Sequence, residues 1–376
     1  MQGNLLTDNR NLCTVLGLPF DSVNLTKAVS LVESCIENHR RCFLSTPNLN
    51  FIVQSHLNRA FYESVLESDL VIADGMPIIL VARLLNLPLP ERVAGSSLFE
   101  ALANKPRTRP IRVFFFGGQG DAAKKAAANL GDLSPGMESC GYLNPGMGSV
   151  ESMSDIETIE QINAAEPDFL VVALGAEKGQ RWIMHNRHRL HVPVLSHLGA
   201  VINFVAGGVR RAPEKWQSLG LEWLWRIYQE PQLLRRYFYD GLQLCHLLFA
   251  KILPLTIYQQ LLCIGSAANR PLKITTEKID NCLEVHLSGA ATAANCWSTK
   301  DCCDRALQQP CTILKHVRVD CAELSYIDSA SLALLLVFKI SLSHRGQSLS
   351  FFNLSPRIVT LMNLHGVAHY LLDNRS

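Results

Sequence analysis

The chain lacks the marks of several large enzyme classes. It has no G-x-x-x-x-G-K-[ST], which removes a P-loop ATPase. No full G-x-G-x-x-G follows its glycine-rich strand end, and no acid stands in ribose register. A nicotinamide dehydrogenase, which would suit the architecture, fails on both counts. His185, His188, His191 and His197 look like a cluster, but their spacing gives no H-E-x-x-H or other metal site. The twelve cysteines form no C-x-x-C pair, and Cys302-Cys303 are adjacent. That usage points to a reducing compartment with thiols serving as small apolar residues. Charge is sparse, at 18% charged residues and a net +2, so wholesale nucleic-acid binding is not expected. Met1 to Leu12 is polar and holds no apolar h-region, so no signal peptide is expected. The longest apolar stretch, Leu242 to Cys263, is interrupted by Gln243, His246, Lys251, Pro254, Gln259 and Gln260. It reads as a surface-lying segment rather than a membrane span. No internal repeat or low-complexity run is present.

What is there is a long globular chain. Its 376 residues, 48% of them hydrophobic, suggest two or three domains. Up to about Gly199, short apolar runs alternate with helical patterns. Strands are expected at 41–46, 70–73, 111–116, 168–174 and 193–198, and helices at 50–66 and 121–130. Such alternation argues for a mostly parallel, Rossmann-like α/β sheet. Ligands bind beyond the C-terminal strand ends of such sheets. Thr46, Asp74, Gly117, Gly175 and Gly199 fall there. From Ala212 to Leu262 the pattern turns helical and aromatic, with Trp216, Trp223, Trp225, Tyr228, Tyr237, Phe238 and Tyr239 among Arg226, Arg235 and Arg236. That mixture suits a membrane interface, or a helical hairpin packed on the core. Residues 264–271 look like a linker. Beyond it come strand patterns at 272–287, 312–319 and 348–352, and helices at 329–343 and 356–364.

Several strand ends carry polar groups with two readings each. Asp74 precedes Gly75-Met76-Pro77 and is either a general base facing a cleft or an N-cap. Spacing alone favours the cap. Thr46 and Asn48 bind a polar ligand or make the turn before a helix, and the turn is favoured. Phe116-Gly117-Gly118-Gln119-Gly120 offers backbone amides to a phosphate, or is an ordinary loop. Arg92 can grip a diphosphate, or is a solvated surface residue.

The ordered set of segments resembles the WecG/TagA/CpsF family of glycosyltransferases. It runs through Leu16-Gly17-Leu18-Pro19-Phe20-Asp21, Thr46-Pro47-Asn48, Ala73-Asp74-Gly75-Met76-Pro77, Glu91-Arg92-Val93-Ala94-Gly95, Phe116-Gly117-Gly118 and Leu174-Gly175-Ala176. It continues with Gly199-Ala200, Ala206-Gly207, Arg211-Ala212-Pro213, Gly220-Leu221-Glu222-Trp223-Leu224 and Glu230-Pro231. The resemblance implies inverting transfer from a UDP-sugar, typically an N-acetylhexosamine, to a sugar on a polyprenyl diphosphate in cell-surface polysaccharide synthesis. It places Asp74 as the base, Thr46 and Asn48 in the same pocket, and Arg92 near the diphosphate. Arg226 and Arg236 fall on basic positions of a C-terminal appendage that closes over the site. Gly117, Gly118, Gly175 and Gln180 fall on its substrate-binding segments. No cofactor and no obligatory metal are implied. The expected location is the inner face of the cytoplasmic membrane, held peripherally.

Departures from the family pattern are clear. Gly179 and Gln180 stand where glutamine and glutamate are usual, and Ser97 where an aspartate is usual. The Phe-Asp-Phe-like segment reads Ile202-Asn203-Phe204, and Leu233 replaces an arginine. These leave the donor sugar open, and they give an alternative: a non-catalytic regulator that binds a sugar nucleotide.

Residues 272–376 resemble a STAS domain through Leu324-Ser325-Tyr326-Ile327-Asp328-Ser329-Ala330-Ser331-Leu332. The resemblance puts a phosphorylatable serine at Ser329, with a kinase or other protein as partner. The plainer reading is that Asp328 or Ser329 caps the helix, and it is favoured because Ser331 replaces the usual glycine. The expected division is a transferase domain at 1–240, an amphipathic segment and linker at 241–271, and a small α/β STAS domain at 272–376.

Overall fold

The computed structural model describes residues 10–208, 212–213, 215–216, 220–265 and 267–373. Arg211 of the family segments lies outside them. The chain opens with an antiparallel hairpin, β1 (Leu12–Val15) and β2 (Leu18–Asp21). A six-stranded sheet follows: β3 (Cys42–Ser45), β4 (Leu70–Val71), β5 (Ile111–Gly117), β6 (Met137–Leu143), β7 (Phe169–Ala173) and β8 (Val194–His197). The order is β4-β3-β8-β7-β5-β6, and every pairing is parallel. The central strands are apolar runs buried along almost their whole length, as a sheet covered on both faces requires. Because all six run the same way, their C-terminal ends gather on one edge.

Some expectations needed correction. The helix expected over 50–66 is two, Leu49–Leu57 and Arg59–Leu66. Asn58 breaks it: its side chain accepts from Phe61 N at 3.1 Å and starts a new helix. The hairpin, β6 and a helix at Ile156–Ala164 were not legible in the pattern.

The small domain is a second sheet, β9 (Lys273–Ile279), β10 (Cys282–Ala291), β11 (His316–Ile327) and β12 (Ser348–Phe352), ordered β12-β11-β10-β9. The strand expected at 312–319 starts later and runs on to Ile327. Residues before it form a turn, with Leu314 N donating to Pro310 O at 3.0 Å. A void of about 20 Å³ lies in this domain, walled by apolar side chains such as Val285, Val319 and Phe338. It is a packing gap with room for little more than a water.

Between the sheets, helix Glu222–Gln229 leads into a continuous helical segment, Leu233–Ile264, with a π turn at Leu248–Ile252. The boundary expected at 240 falls inside it. By length and composition this segment is apolar enough to cross a membrane, with 17% of its most apolar window buried. Leu247, Ile252, Leu255 and Leu262 are nonetheless buried in the protein core, and Lys251 Nζ donates to Asn363 O at 2.6 Å. One face therefore lies on the small domain. The expected linker is also anchored: Ala267 is buried and its carbonyl accepts from Ser325 Oγ at 2.7 Å.

The two sheets share one core. Helix Ser329–Ser343 is buried at every position but its last, and it packs on β1 and β2 of the first domain as well as on β12. Gly17, at φ +95°, meets Gly366 so closely that a Cβ there would lie 2.8 Å from the Gly366 carbonyl. His344 Nε2 lies 2.9 Å from Glu67, and Arg59 pairs with Asp373.

Candidate active site

The site is built at the shared C-terminal edge of β3, β4 and β8. Asp74 follows β4, and helix Met76–Leu84 begins just beyond it. Gly75 takes the N-cap position and makes no side-chain cap. The cap expected of Asp74 is therefore not formed. Its carboxylate instead accepts from Gly95 N at 3.3 Å, in the segment after Arg92. Gly95 is closely packed, and a side chain there would have to push Leu198 aside. A Cβ there would lie 2.5 Å from Leu198 Cδ2 and 3.2 Å from Thr46 Cγ2. The same glycine thus touches Asp74 through its amide and Thr46 through its missing side chain. Asn48 lies against Gly75, 3.7 Å from its ideal Cβ, and its side chain caps helix Leu49–Leu57 by accepting from Phe51 N at 3.2 Å.

The strand that leads to Asp74 is braced from behind. Asp21, at the end of β2, accepts from Val71 N at 2.8 Å and pairs with Arg10 at 2.7 Å. The hairpin that packs on the small domain therefore also fixes the start of the segment leading to Asp74.

The appendage brings charge to the mouth of the site. Arg92 Nη1 pairs with Glu222 at 2.7 Å, with side chains 16% and 14% exposed. Arg226, one turn further along the same helix, lies 3.7 Å from Glu230, and its Nε is buried without a hydrogen-bond partner. The next helix docks through Asn50 Nδ2, which donates to the buried Asp240 at 3.2 Å.

Burial pushes the Asp74 carboxyl up to about 6, and the Glu222 carboxylate adds to this. Arg92, the Gly95 amide and Arg226 oppose it. A carboxyl titrating near neutrality can take a proton at working pH and hold it, which an ordinary surface aspartate does poorly.

The remaining expected residues are more scattered. Gly117 and Gly118 sit at φ +92° and +89°, and a Cβ on Gly117 would lie 2.7 Å from the Ala173 carbonyl. The Gly118 amide already donates to Ala173 O at 2.8 Å, so it is not free for a phosphate. Gly175, at φ +82°, heads helix Ala176–Asn186 with open space beside its Cα. Gln180 is fully buried under the strand ends, its Nε2 donating to Ser45 Oγ at 2.7 Å and its Oε1 unpartnered. Arg236 is exposed over the Tyr237 ring at 5.0 Å and acts on Asp240 rather than on Asp74. Ser329 is buried at the start of its helix. His197, at the end of β8, is pushed down to about 4 by burial and stays neutral. Among the described residues no cluster of histidine, cysteine and acids could hold a metal.

Sequence reasoning gave no role to Glu222 or Gly95. The available signal for Glu222 was its i,i+4 spacing to Arg226 on a short amphipathic helix, which puts both on one face.

A parallel α/β sheet with an acid and arginines gathered at its strand ends is the arrangement in which open α/β sheets bind their ligands. Residues 13–256 match the glycosyl transferase WecG/TagA/CpsF family, and the chain belongs to that family of glycosyltransferases. Residues 274–373 match the family described as Mlab, STAS domain. Among curated relatives, the chain is 31% identical over 221 residues to the N-acetylglucosaminyldiphosphoundecaprenol N-acetyl-beta-D-mannosaminyltransferase of Bacillus spizizenii, covering 58% of this chain and 84% of that protein. It is 27% identical over 224 residues to the enzyme of the same name from Bacillus subtilis, at 59% and 86% coverage. A Staphylococcus aureus counterpart is 23% identical over 221 residues, at 57% and 84%.

Proposed function

We propose that this glycosyltransferase moves a sugar, with inversion, from a UDP-sugar to a glycan on a polyprenyl diphosphate. The names of its relatives, which act on N-acetylglucosaminyldiphosphoundecaprenol, support a lipid-linked acceptor. Asp74 is the general base. It removes the proton of the acceptor hydroxyl as that oxygen bonds to the anomeric carbon. The bond from that carbon to the diphosphate oxygen breaks, and UDP leaves with the electron pair. Arg92 and Arg226 stabilise the negative charge growing on the leaving group. Thr46 and Asn48 orient sugar hydroxyls beside the base. Gly117, Gly118 and Gly175 shape the floor of the site, and Gln180 supports it from below.

The observation that carries this reading is the setting of Asp74: an uncapped, half-buried carboxyl titrating at about 6, between Thr46, Asn48 and the Arg92 segment. The acceptor's lipid places the reaction at a membrane surface, on the cytoplasmic face. The appendage presents Tyr228, Phe238 and Phe249, which are 80%, 66% and 69% exposed, with Arg235 and Arg236 exposed on the same helical segment. Aromatic rings and cations together suit the headgroup region. The test is transfer from a set of UDP-sugars to a lipid-linked N-acetylglucosamine acceptor, with products read by mass spectrometry. Absence of any transferred sugar across the set would reject the reading.

A further inference from the structure

We propose that Glu222 is a placeholder for the donor's diphosphate: it occupies Arg92 in the empty enzyme and gives that arginine up when the nucleotide sugar binds. This rests on the transferase reading above and adds to it how the donor site is kept before the donor arrives.

The geometry is that of an anion in a cation's pocket. Glu222 and Arg92 are 2.7 Å apart and both mostly shielded from water. They come from different elements, 130 residues apart in sequence. Arg92, Glu222 and Arg226 all act electrostatically on Asp74, and Glu222 and Arg226 lie one turn apart on the same helix. Of these groups, two are guanidinium groups and two are carboxylates. Arg226 has a buried Nε with nothing to bond, a donor without an acceptor in a pocket otherwise neutralised. A diphosphate carries more charge and more acceptor oxygens than one carboxylate. It can satisfy both Arg92 and that idle donor. While Glu222 holds Arg92 Nη1, the diphosphate competes with that carboxylate for the same positive charge.

Displacement asks the Glu222 side chain to swing away from a helix that lies at the protein surface. Helix Glu222–Gln229 has no fully buried residue. In the empty state the placeholder keeps Arg92 oriented and saves the site from an uncompensated, half-buried cation. The cost is competition: the apparent affinity for the donor is reduced by the fraction of enzyme in which Arg92 is occupied.

The experiment is calorimetric titration of UDP into the full chain and into Glu222→Gln, an isosteric change that removes the charge. Glu222→Asp serves as a control that keeps it. Glu222→Gln is expected to bind UDP roughly three- to tenfold more tightly, and to gain more in melting temperature from UDP than the parent does. Glu222→Asp should stay near the parent. If Glu222 were merely structural, Glu222→Gln would lower the melting temperature and leave UDP affinity unchanged or weaker. That result overturns the placeholder while the donor reading stands. Failure of both parent and variant to bind UDP removes the UDP-donor reading, and the placeholder with it. Tighter UDP binding by a chain that transfers no sugar would support the placeholder and sink the transferase reading.

Discussion

Asp74 and Asp328 make an instructive pair. Each lies between a strand and the helix that follows it, Asp74 a short loop beyond β4 and Asp328 directly after β11. Asp328 is the N-cap itself. It accepts from Ser331 N at 3.0 Å and from Ala293 N at 2.6 Å, so both oxygens are spent on backbone amides. Asp74 stands one residue further out. Gly75 takes the cap position, and the carboxylate makes a single 3.3 Å bond to Gly95. Burial raises both carboxyls, but the amides around Asp328 oppose the effect more fully. Asp74 also faces the Glu222 carboxylate. One residue of offset separates an acid that holds a helix from an acid left free to react.

The largest effect expected from this contrast is on turnover. Asp74→Asn should cut transfer by about 10²–10⁴-fold with the fold intact, measured with radiolabelled donor and lipid acceptor. A loss under tenfold would show that Asp74 is not the base. A second test asks whether the two regions are one body. Leu336 is fully buried in the core common to both sheets. Leu336→Ala should cost about 2–5 kcal/mol and lower a single calorimetric transition. Two separated transitions in the parent would break the shared core.

The pH dependence sharpens the pair. With the Asp74 carboxyl at about 6 against an ordinary 3.8, native protein binds the extra proton. Asp74 thus costs stability as pH rises through that window, and the full cost is present above 6. Asp74→Asn should therefore stabilise the chain at pH 8 by on the order of 1–3 kcal/mol, and not at all below pH 4. In the parent, kcat/KM should fall on the acid side of about pH 6. A profile flat from pH 5 to 8 would contradict both the environment and the role. The smallest effect is at the other acid. Asp328→Ala should lower stability by ~1 kcal/mol in thermal melts while leaving kcat near the parent value, and a collapse of kcat would mean that the cap reaches the site.

Much of the arrangement was legible beforehand. Short apolar runs such as Phe169–Ala173, bounded by turn residues, read as buried strands, and their alternation with helical patterns pointed to the parallel sheet. The strand ends then followed from sheet geometry, which put Thr46, Asp74, Gly117 and Gly175 at that edge, while the roles expected of them came from the family resemblance. Asp328 was legible for the same reason, since a cap is a contact within three residues. The pairing of Glu222 with Arg92 was not, because it spans 130 residues. Nor was the hairpin, whose four-residue strands are too short to show a period. The helix expected at 329–343 was assigned to the small domain. Its second face, against that hairpin, became visible only in three dimensions.

The residues alone thus determined most strands of the first sheet, its parallel type and the cap at Asp328, because periodicity and capping act over a few positions. Whether an acid was spent on amides or left free, and which cation it faced, depended on partners far away in the chain. Only folding decides that: desolvation and charge pairing depend on distance in space, which sequence separation does not encode.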